Sequence, residues 1–422
     1  MKWPLATIDS IRAKSRYSLV GGPFGSNLTT RDYVDDGIPV IRGVNLPDNR
    51  EFLDESFVFV REEKADKLIA NTAYPGDVVF TQRGTLGQVG VIPSESPFQR
   101  YVISQSQMKL TVALEIADPR FVYYFFRHPN TVQKIKNHGI TSGVPHINLG
   151  ILKAFEIPLP PLEVQRKIVA ILAAYDDLIE NNRRRMALLE DSARLLYSEW
   201  FVRLRFPGYE HTSIVDGVPQ GWEWKALESV CSSGNGIQTG PFGSQLHQAD
   251  YSDEGVPLVM PKNLIDFQIS IEAIARIPES LADSLGRHRM LPGDTVYGRR
   301  GDIGRRAFIN SRQTGWFCGT GCLRIRPDPI IINPRYLFDA IGSPETAATI
   351  ANRAKGSTML NLSATSLKSV PVLVAPRNIQ DIYADQVEAI SEMVTVLALQ
   401  NQKLRAARDL LLPRLMSGEL AA

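Results

Sequence analysis

The chain is written twice, and this limits its fold more than any single motif does. GGPFGSNL starts at Gly21, and GPFGSQL at Gly240. DYVDDGIPVIRGVNL, from Asp32, is answered by DYSDEGVPLVMPKNL from Asp250. YPGDVVFTQRGTLGQVGVI, from Tyr74, is answered by LPGDTVYGRRGDIGRRAFI from Leu291. DPRFVYYFF pairs with NPRYLFDAI, SGVPHINL with GSTMLNL, and IPLPPLEVQRKI with VPVLVAPRNIQDI. One echoed loop could arise by chance, but this many blocks in one order require a duplication. Two copies of roughly 200 residues are too few and too long for a solenoid, so they form a fused pseudo-dimer with an approximate two-fold relation. A length of 422 residues, 44% of them hydrophobic and 22% charged, supports two or three well-packed domains.

Each copy reads as a globular part followed by a helix. PGD supplies a turn, VVF and TVY are β-formers, and the glycines after them close a hairpin. VGVIP, MKLTV and LRIRP read as further short strands, while PRFVYYFFRHP and PRYLFDAIGSP read as helices begun by proline. The expected class is α+β. The expected domains are 1–160 and 206–375, with long helices over 161–205 and 376–422. Phe24 and Phe242, in the two glycine turns, are expected to pack inward.

The helical parts carry a coiled-coil spacing. Leu172, Tyr175, Ile179, Asn182, Met186, Leu189, Ala193, Leu196 and Trp200 alternate steps of three and four, as do Ile390, Val394, Leu397, Asn401, Leu404, Arg408 and Leu411. At ~1.5 Å per residue such helices reach about 60 Å, and they bury their stripes most cheaply against each other, antiparallel. Asn182 and Asn401 are polar interruptions at matching repeat positions, so they are expected to meet and to set register at some cost in stability. Asp176, Asp177 and Glu180 are assigned to a solvated face. Ile168, Leu188 and Leu195 are leftover apolar positions available for docking.

Catalytic signatures are lacking: there is no GxxxxGK[ST], HExxH or GxSxG, and no Asn-Pro-Pro-aromatic or Asp-Pro-Pro-Tyr run. Cys318 and Cys322 have no second Cys or His pair beside them and read as reduced core thiols. No apolar run approaches a membrane span and the first residues lack a signal peptide, so a cytoplasmic location is expected. Net charge is only +2, but six arginines fall between Arg287 and Arg306, a candidate phosphate-facing patch.

What remains is a binding architecture. Two similar surfaces held apart by rods suit double-stranded DNA, where half-site spacing mirrors protein symmetry. Arginine, lysine, asparagine and glutamine beside glycine loops supply phosphate contacts and base-edge hydrogen bonds. On polarity and repeat position the candidates are Arg42, Asn45, Arg83, Thr85, Gln105 and Lys109 in the first copy. In the second they are Lys262, Asn263, Arg299, Arg300, Arg305 and Lys355. The copies differ at Arg42 against Met260 and at Thr85 against Asp302, which implies unequal half-sites and a non-palindromic target.

GPFGS, the PGD(V/T)V(F/Y)xxRGxxG hairpin, the long helix closing in SEWFVRLRFPGYE, the second start VPQGWEWKAL and the ending LLLPRLMSGEL together resemble the specificity subunits of type I restriction–modification systems. The likeness runs through both copies. It implies two target-recognition domains reading the halves of a split asymmetric site, with paired helices as the ruler. It also implies a non-catalytic subunit that docks two methyltransferase subunits and, in the full complex, two restriction subunits. S-adenosylmethionine, ATP and Mg2+ are then expected on those partners and none on this chain. The alternatives are a single-chain methyltransferase or nuclease with an unrecognised motif, and an assembly scaffold without sequence preference.

Overall fold

The computed structural model describes residues 3–48, 50–139, 144–265, 267–301, 303–354 and 361–421. Each PGD block becomes a turn held by its own aspartate. Asp77 Oδ2 accepts from the Tyr74 amide at 2.9 Å, and Asp294 Oδ2 accepts from the Leu291 amide at 2.7 Å. The chain leaves these turns as strands with four consecutive buried residues, Val78–Thr81 and Thr295–Gly298.

Those strands are central in matching antiparallel sheets. In the first copy, β1 (Leu19–Gly21), β2 (Val78–Thr81), β3 (Val89–Val91) and β4 (Gln107–Leu110) lie in the order β1-β4-β2-β3. In the second, β5 (Ile237–Thr239), β6 (Thr295–Gly298), β7 (Arg306–Phe308) and β8 (Cys322–Ile325) lie in the order β5-β8-β6-β7. The repeated blocks therefore encode one topology twice. A second sheet in each copy contains a parallel pair, Ile38–Ile41 beside Tyr101–Ile103 and Val256–Val259 beside Phe317–Cys318.

The chain divides into two units, Met1–Arg184 with Leu397–Ala422, and Arg185–Val396. The long helices run Leu162–Tyr197 and Arg377–Met416, the first continuing into a π turn over Ser198–Val202. Each begins with a buried glutamine from the repeated block. Gln165 donates to the carbonyls of Pro160 and Ile116 and accepts from the Asp118 amide. Gln380 donates to Ala375 O and accepts from the Asn333 amide. Asp118 and Asn333 in turn cap the proline-led helices Pro119–Arg127 and Pro334–Ala340. One side chain thus ties each long helix to its globular copy.

In the first unit the helix segments run antiparallel: Asn182 meets Asn401, and moving back to Asp176 moves the contact forward to Arg408. Asn182 Nδ2 donates to Asn401 Oδ1 at 3.0 Å, and Asn401 Nδ2 donates to Ile179 O at 3.2 Å, both inside a buried seam. Asp176 is not on a solvated face: it pairs with the buried seam residue Arg408 and accepts from Tyr124 Oη at 2.7 Å. Ile168 is likewise in the core, 1% exposed, so it is removed from the docking surface, whereas Leu188 and Leu195 stay exposed. In the second unit Tyr197 and Trp200 pack on Tyr383, with ring centroids 5.9 and 6.0 Å apart. No described helix is long and apolar enough to cross a membrane.

The asparagine pair supports a first prediction. Changing both Asn182 and Asn401 to leucine replaces a buried polar contact by apolar packing, which should raise the thermal midpoint while permitting other helix registers. Changing only one should lower stability by about 1–3 kcal/mol, because its partner amide is left unmatched. Paired melting curves of single and double variants check this; equal stability in all of them would contradict it.

Candidate nucleic-acid interface

Three repeated loops meet at one end of each four-stranded sheet. In the first copy the Gly22 amide donates to Gln107 O at 2.8 Å, setting the GPFGS turn against the start of β4. Gln82 and Arg83 leave β2 and donate to Ser106 O at 2.7 and 3.3 Å. Ile147 then donates to Gln82 O at 3.0 Å, and Arg83 bridges to His146. The second copy repeats the arrangement. Gly240 donates to Cys322 O at 3.0 Å, Arg299 to Gly321 O at 2.9 Å and Leu362 to Arg299 O at 2.8 Å, with Arg300 bridged to Asn361. Blocks far apart in sequence are thereby gathered into one surface in each copy.

The charge on these surfaces is unequal. Arg83 and Thr85 are exposed in the first copy, and Arg300 and Arg305 in the second. Arg299 is half-buried and holds Asn361 Oδ1 through Nε and Nη2 at 3.3 and 3.1 Å. Burial and the neighbouring Arg300 hold its pKa below the usual arginine value. Asn361 was not among the candidates, although its place in a repeated block beside the arginine loop was the available signal. Lys262 is exposed. Lys355 and Asp302 lie outside the described residues.

Several sequence candidates turn out to be structural. Asn45 and Asn263 are buried and do the same work in the two copies: each Oδ1 accepts from a backbone amide, Arg42 at 2.9 Å or Met260 at 3.0 Å. Their Nδ2 groups donate to carbonyls of the following loop, Leu53 and Glu55 or Ser270. Neither can reach a base. Lys109 is buried too, with Nζ 2.9 Å from Asp77 and 3.2 Å from Thr111 Oγ1. Its counterpart is an arginine set around Asp294, where Arg326 donates from Nε and Nη2 at 2.8 and 2.7 Å. Gln105 lies on the exposed end, but its Nε2 is committed to the carbonyls of Gly25 and Leu28 at 2.6 and 2.7 Å. Arg42 is half-buried, with Nη2 on Ser56 O at 3.1 Å.

Two other expectations are corrected. Phe24 is 91% exposed and Phe242 59%, so neither packs inward. The run from Arg287 to Arg306 is not one patch: Arg289 pairs with Glu279 and Asp283, and Arg306 is stacked between Phe267 and Phe338 at 4.7 and 4.9 Å. Burial holds the Arg306 pKa below its usual value. The thiols Cys318 and Cys322 sit in a core cluster, and burial pushes Cys318 up to about 12.

A cleft of about 820 Å³ opens in the first unit between the loops around residues 50–55 and 91–95 and the long helix. Its carboxylates (Glu51, Asp54, Glu55, Glu95, Asp118, Asp176, Asp177 and Glu180) outnumber its guanidinium groups (Arg50, Arg120, Arg183 and Arg184). Such a wall repels phosphate, whereas the three-loop ends present arginines.

The chain is a duplicated α+β protein, with two copies of one domain, each followed by a long helix and each gathering glycine–arginine loops at one sheet end. Residues 35–191 match the model of the Type I restriction modification DNA specificity domain. The chain is 24% identical over 365 residues to the type I restriction enzyme MjaIX specificity subunit of Methanocaldococcus jannaschii, covering 85% of this chain and 81% of that one. It is 21% identical over 407 residues to the HindI specificity subunit of Haemophilus influenzae, covering 82% and 86%. The crystal structure of a type I restriction-modification S subunit from M. genitalium shares the fold, with a TM-score of 0.55 and 16% identity over 98% of this chain and 96% of that one. Residues 35–191 thus match the type I specificity domain, and over most of its length the chain is similar to type I restriction–modification specificity subunits.

Proposed function

We propose that this chain reads a split, asymmetric site in double-stranded DNA, one half with each copy, while the paired long helices set the distance between halves. The observation that carries the reading is the matched three-loop end, which gives each copy an exposed arginine at one repeat position, Arg83 and Arg300. Arginine beside a glycine turn can approach a phosphate or pair with guanine in the major groove. The unequal residues around it, Arg42 against Met260, Thr85 against Asp302 and Gln88 against Arg305, favour unequal half-sites.

On this reading the chain binds no cofactor. Two methyltransferase partners would carry S-adenosylmethionine, and two restriction partners would carry ATP and Mg2+. Binding to selected and random duplexes across a salt series tests the DNA reading. The chain should prefer a selected sequence, and log K should fall linearly with log salt. Equal binding to all duplexes would leave only a scaffold, and methyl transfer by the purified chain alone would make it an enzyme.

Leu188 and Leu195, 66% and 63% exposed and seven residues apart on one helix, support methyltransferase docking. Leu188→Asp with Leu195→Asp should cut co-purification of the methyltransferase at least tenfold with an unchanged melting midpoint. Undiminished co-purification would move the docking face elsewhere.

A further inference from the structure

Phe24 and Phe242 are exposed aromatic rings at the same place in both copies, and the turns beneath them are built to keep them there. Gly22 and Gly240 lie so close to the neighbouring segment that a Cβ would come within 2.0 Å of Ser104 O or Gly319 O. Gly25 and Gly243, directly after the rings, have φ of +58° and +61°, a left-handed conformation that favours glycine. Pro23 and Pro241 are buried. A side chain clamps each turn from the same neighbouring segment: Gln105 Nε2 on Gly25 O and Leu28 O, and Thr320 Oγ1 on Pro241 O at 2.9 Å. A loop that merely failed to bury its phenylalanine would need none of this.

The segment that clamps each turn also holds the arginine loop. Ser106 O receives the Gln82 and Arg83 amides, and Gly321 O receives the Arg299 amide. Ring and guanidinium loop therefore share one end of one sheet. Within the turns the rings have no apolar companions: Gly25, Ser26 and Asn27, which follow Phe24, are exposed and not hydrophobic, and Gly243 after Phe242 is exposed as well. A protein partner would be met by a cluster of apolar side chains around a hot spot. A single ring among polar groups, beside arginine, suits a base step flanked by phosphates.

We propose that Phe24 and Phe242 are DNA wedges, each stacking against an unstacked base step beside the half-site that its own copy reads. The proposal rests on the DNA-recognition reading and adds to it a contact, a deformation and two named residues. Because a wedge touches base faces and not phosphates, its loss should weaken binding without changing the number of ions released.

The test uses the full chain and its selected duplex, with 2-aminopurine placed in turn at positions in and around each half. Wild type should raise 2-aminopurine fluorescence at a step beside each half-site. Phe24→Ala should abolish the signal at one half only and Phe242→Ala at the other, each with binding roughly 5- to 100-fold weaker and the salt slope unchanged. Phe24→Trp should keep signal and affinity. Melting midpoints should stay at the wild-type value, since the rings are exposed; a drop of several degrees accompanied by proportionate loss of binding would make them structural and overturn the proposal. Selective binding by wild type, with no fluorescence change and unaltered affinity in both alanine variants, would overturn the wedge alone. Absence of sequence selection by wild type would overturn the DNA reading and the wedge together.

Discussion

Lys109→Ala should cost the first copy about 3–5 kcal/mol, because it strands a buried carboxylate. The Lys109 and Asp77 side chains are 4% and 2% exposed and lie 2.9 Å apart. Asp77 also accepts from the Tyr74 amide and from Thr111 Oγ1, so its charge is shared by the PGD turn, β2 and β4. Removing the ammonium leaves that buried carboxylate desolvated where the PGD turn enters β2. Asp77→Ala should be as damaging, since it strands the ammonium and also opens the turn. Lys109→Met combined with Asp77→Asn should recover much of the loss, because neither buried residue is then charged and an amide oxygen can still hold the turn. Hydrogen exchange at the amides of β1, β2 and β4 reads the effect in this copy alone. Arg166→Ala, which removes an exposed pair with Glu163, should leave the same amides unchanged. Equal protection in Lys109→Ala and wild type would show that the pair contributes nothing.

Arg83→Ala and Arg300→Ala should each weaken binding to the selected duplex by about 1–3 kcal/mol, roughly 5- to 150-fold. Both side chains are exposed, and the described contacts of these residues are made by backbone, Arg83 with Ser106 and His146 and Arg300 with Asn361, so loss of the side chains should not disturb the loops. If the arginines pair with guanine, preference at one base should relax in each variant. If they grip phosphate, all duplexes should weaken together and the salt slope should fall by about one. The double variant should lose close to the sum, because the loops belong to different copies and share no partner. Unchanged affinity in both single variants would remove the loops from the interface.

The duplication made the topology legible. Six blocks in order imply one domain used twice, and β1-β4-β2-β3 with β5-β8-β6-β7 is that domain. The seam spacing likewise indicated which helix positions are inward, Asn182 and Asn401 included. Individual polar residues misled for a physical reason. Asn45 and Asn263 recur because each must hold a backbone amide in the same turn, a task set by the fold and the same in both copies. A polar residue matched in both copies is therefore as apt to brace the fold as to meet a partner. Lys109 is a candidate on polarity and repeat position, but it sits in QMKL, where all four residues are buried because both faces of β4 are covered. Phe24 misled in the opposite sense. Hydrophobicity placed it inside, whereas the left-handed Gly25 and the Gln105 clamp turn it out.

The central claim is that the two copies read separate halves of one site. Selection from a random duplex pool by the full chain should recover two short, different base blocks at a fixed separation. Repeated with Arg83→Ala it should degrade one block and leave the other intact, and Arg300→Ala should do the reverse. A single contiguous block, or the same block lost in both variants, would contradict the account.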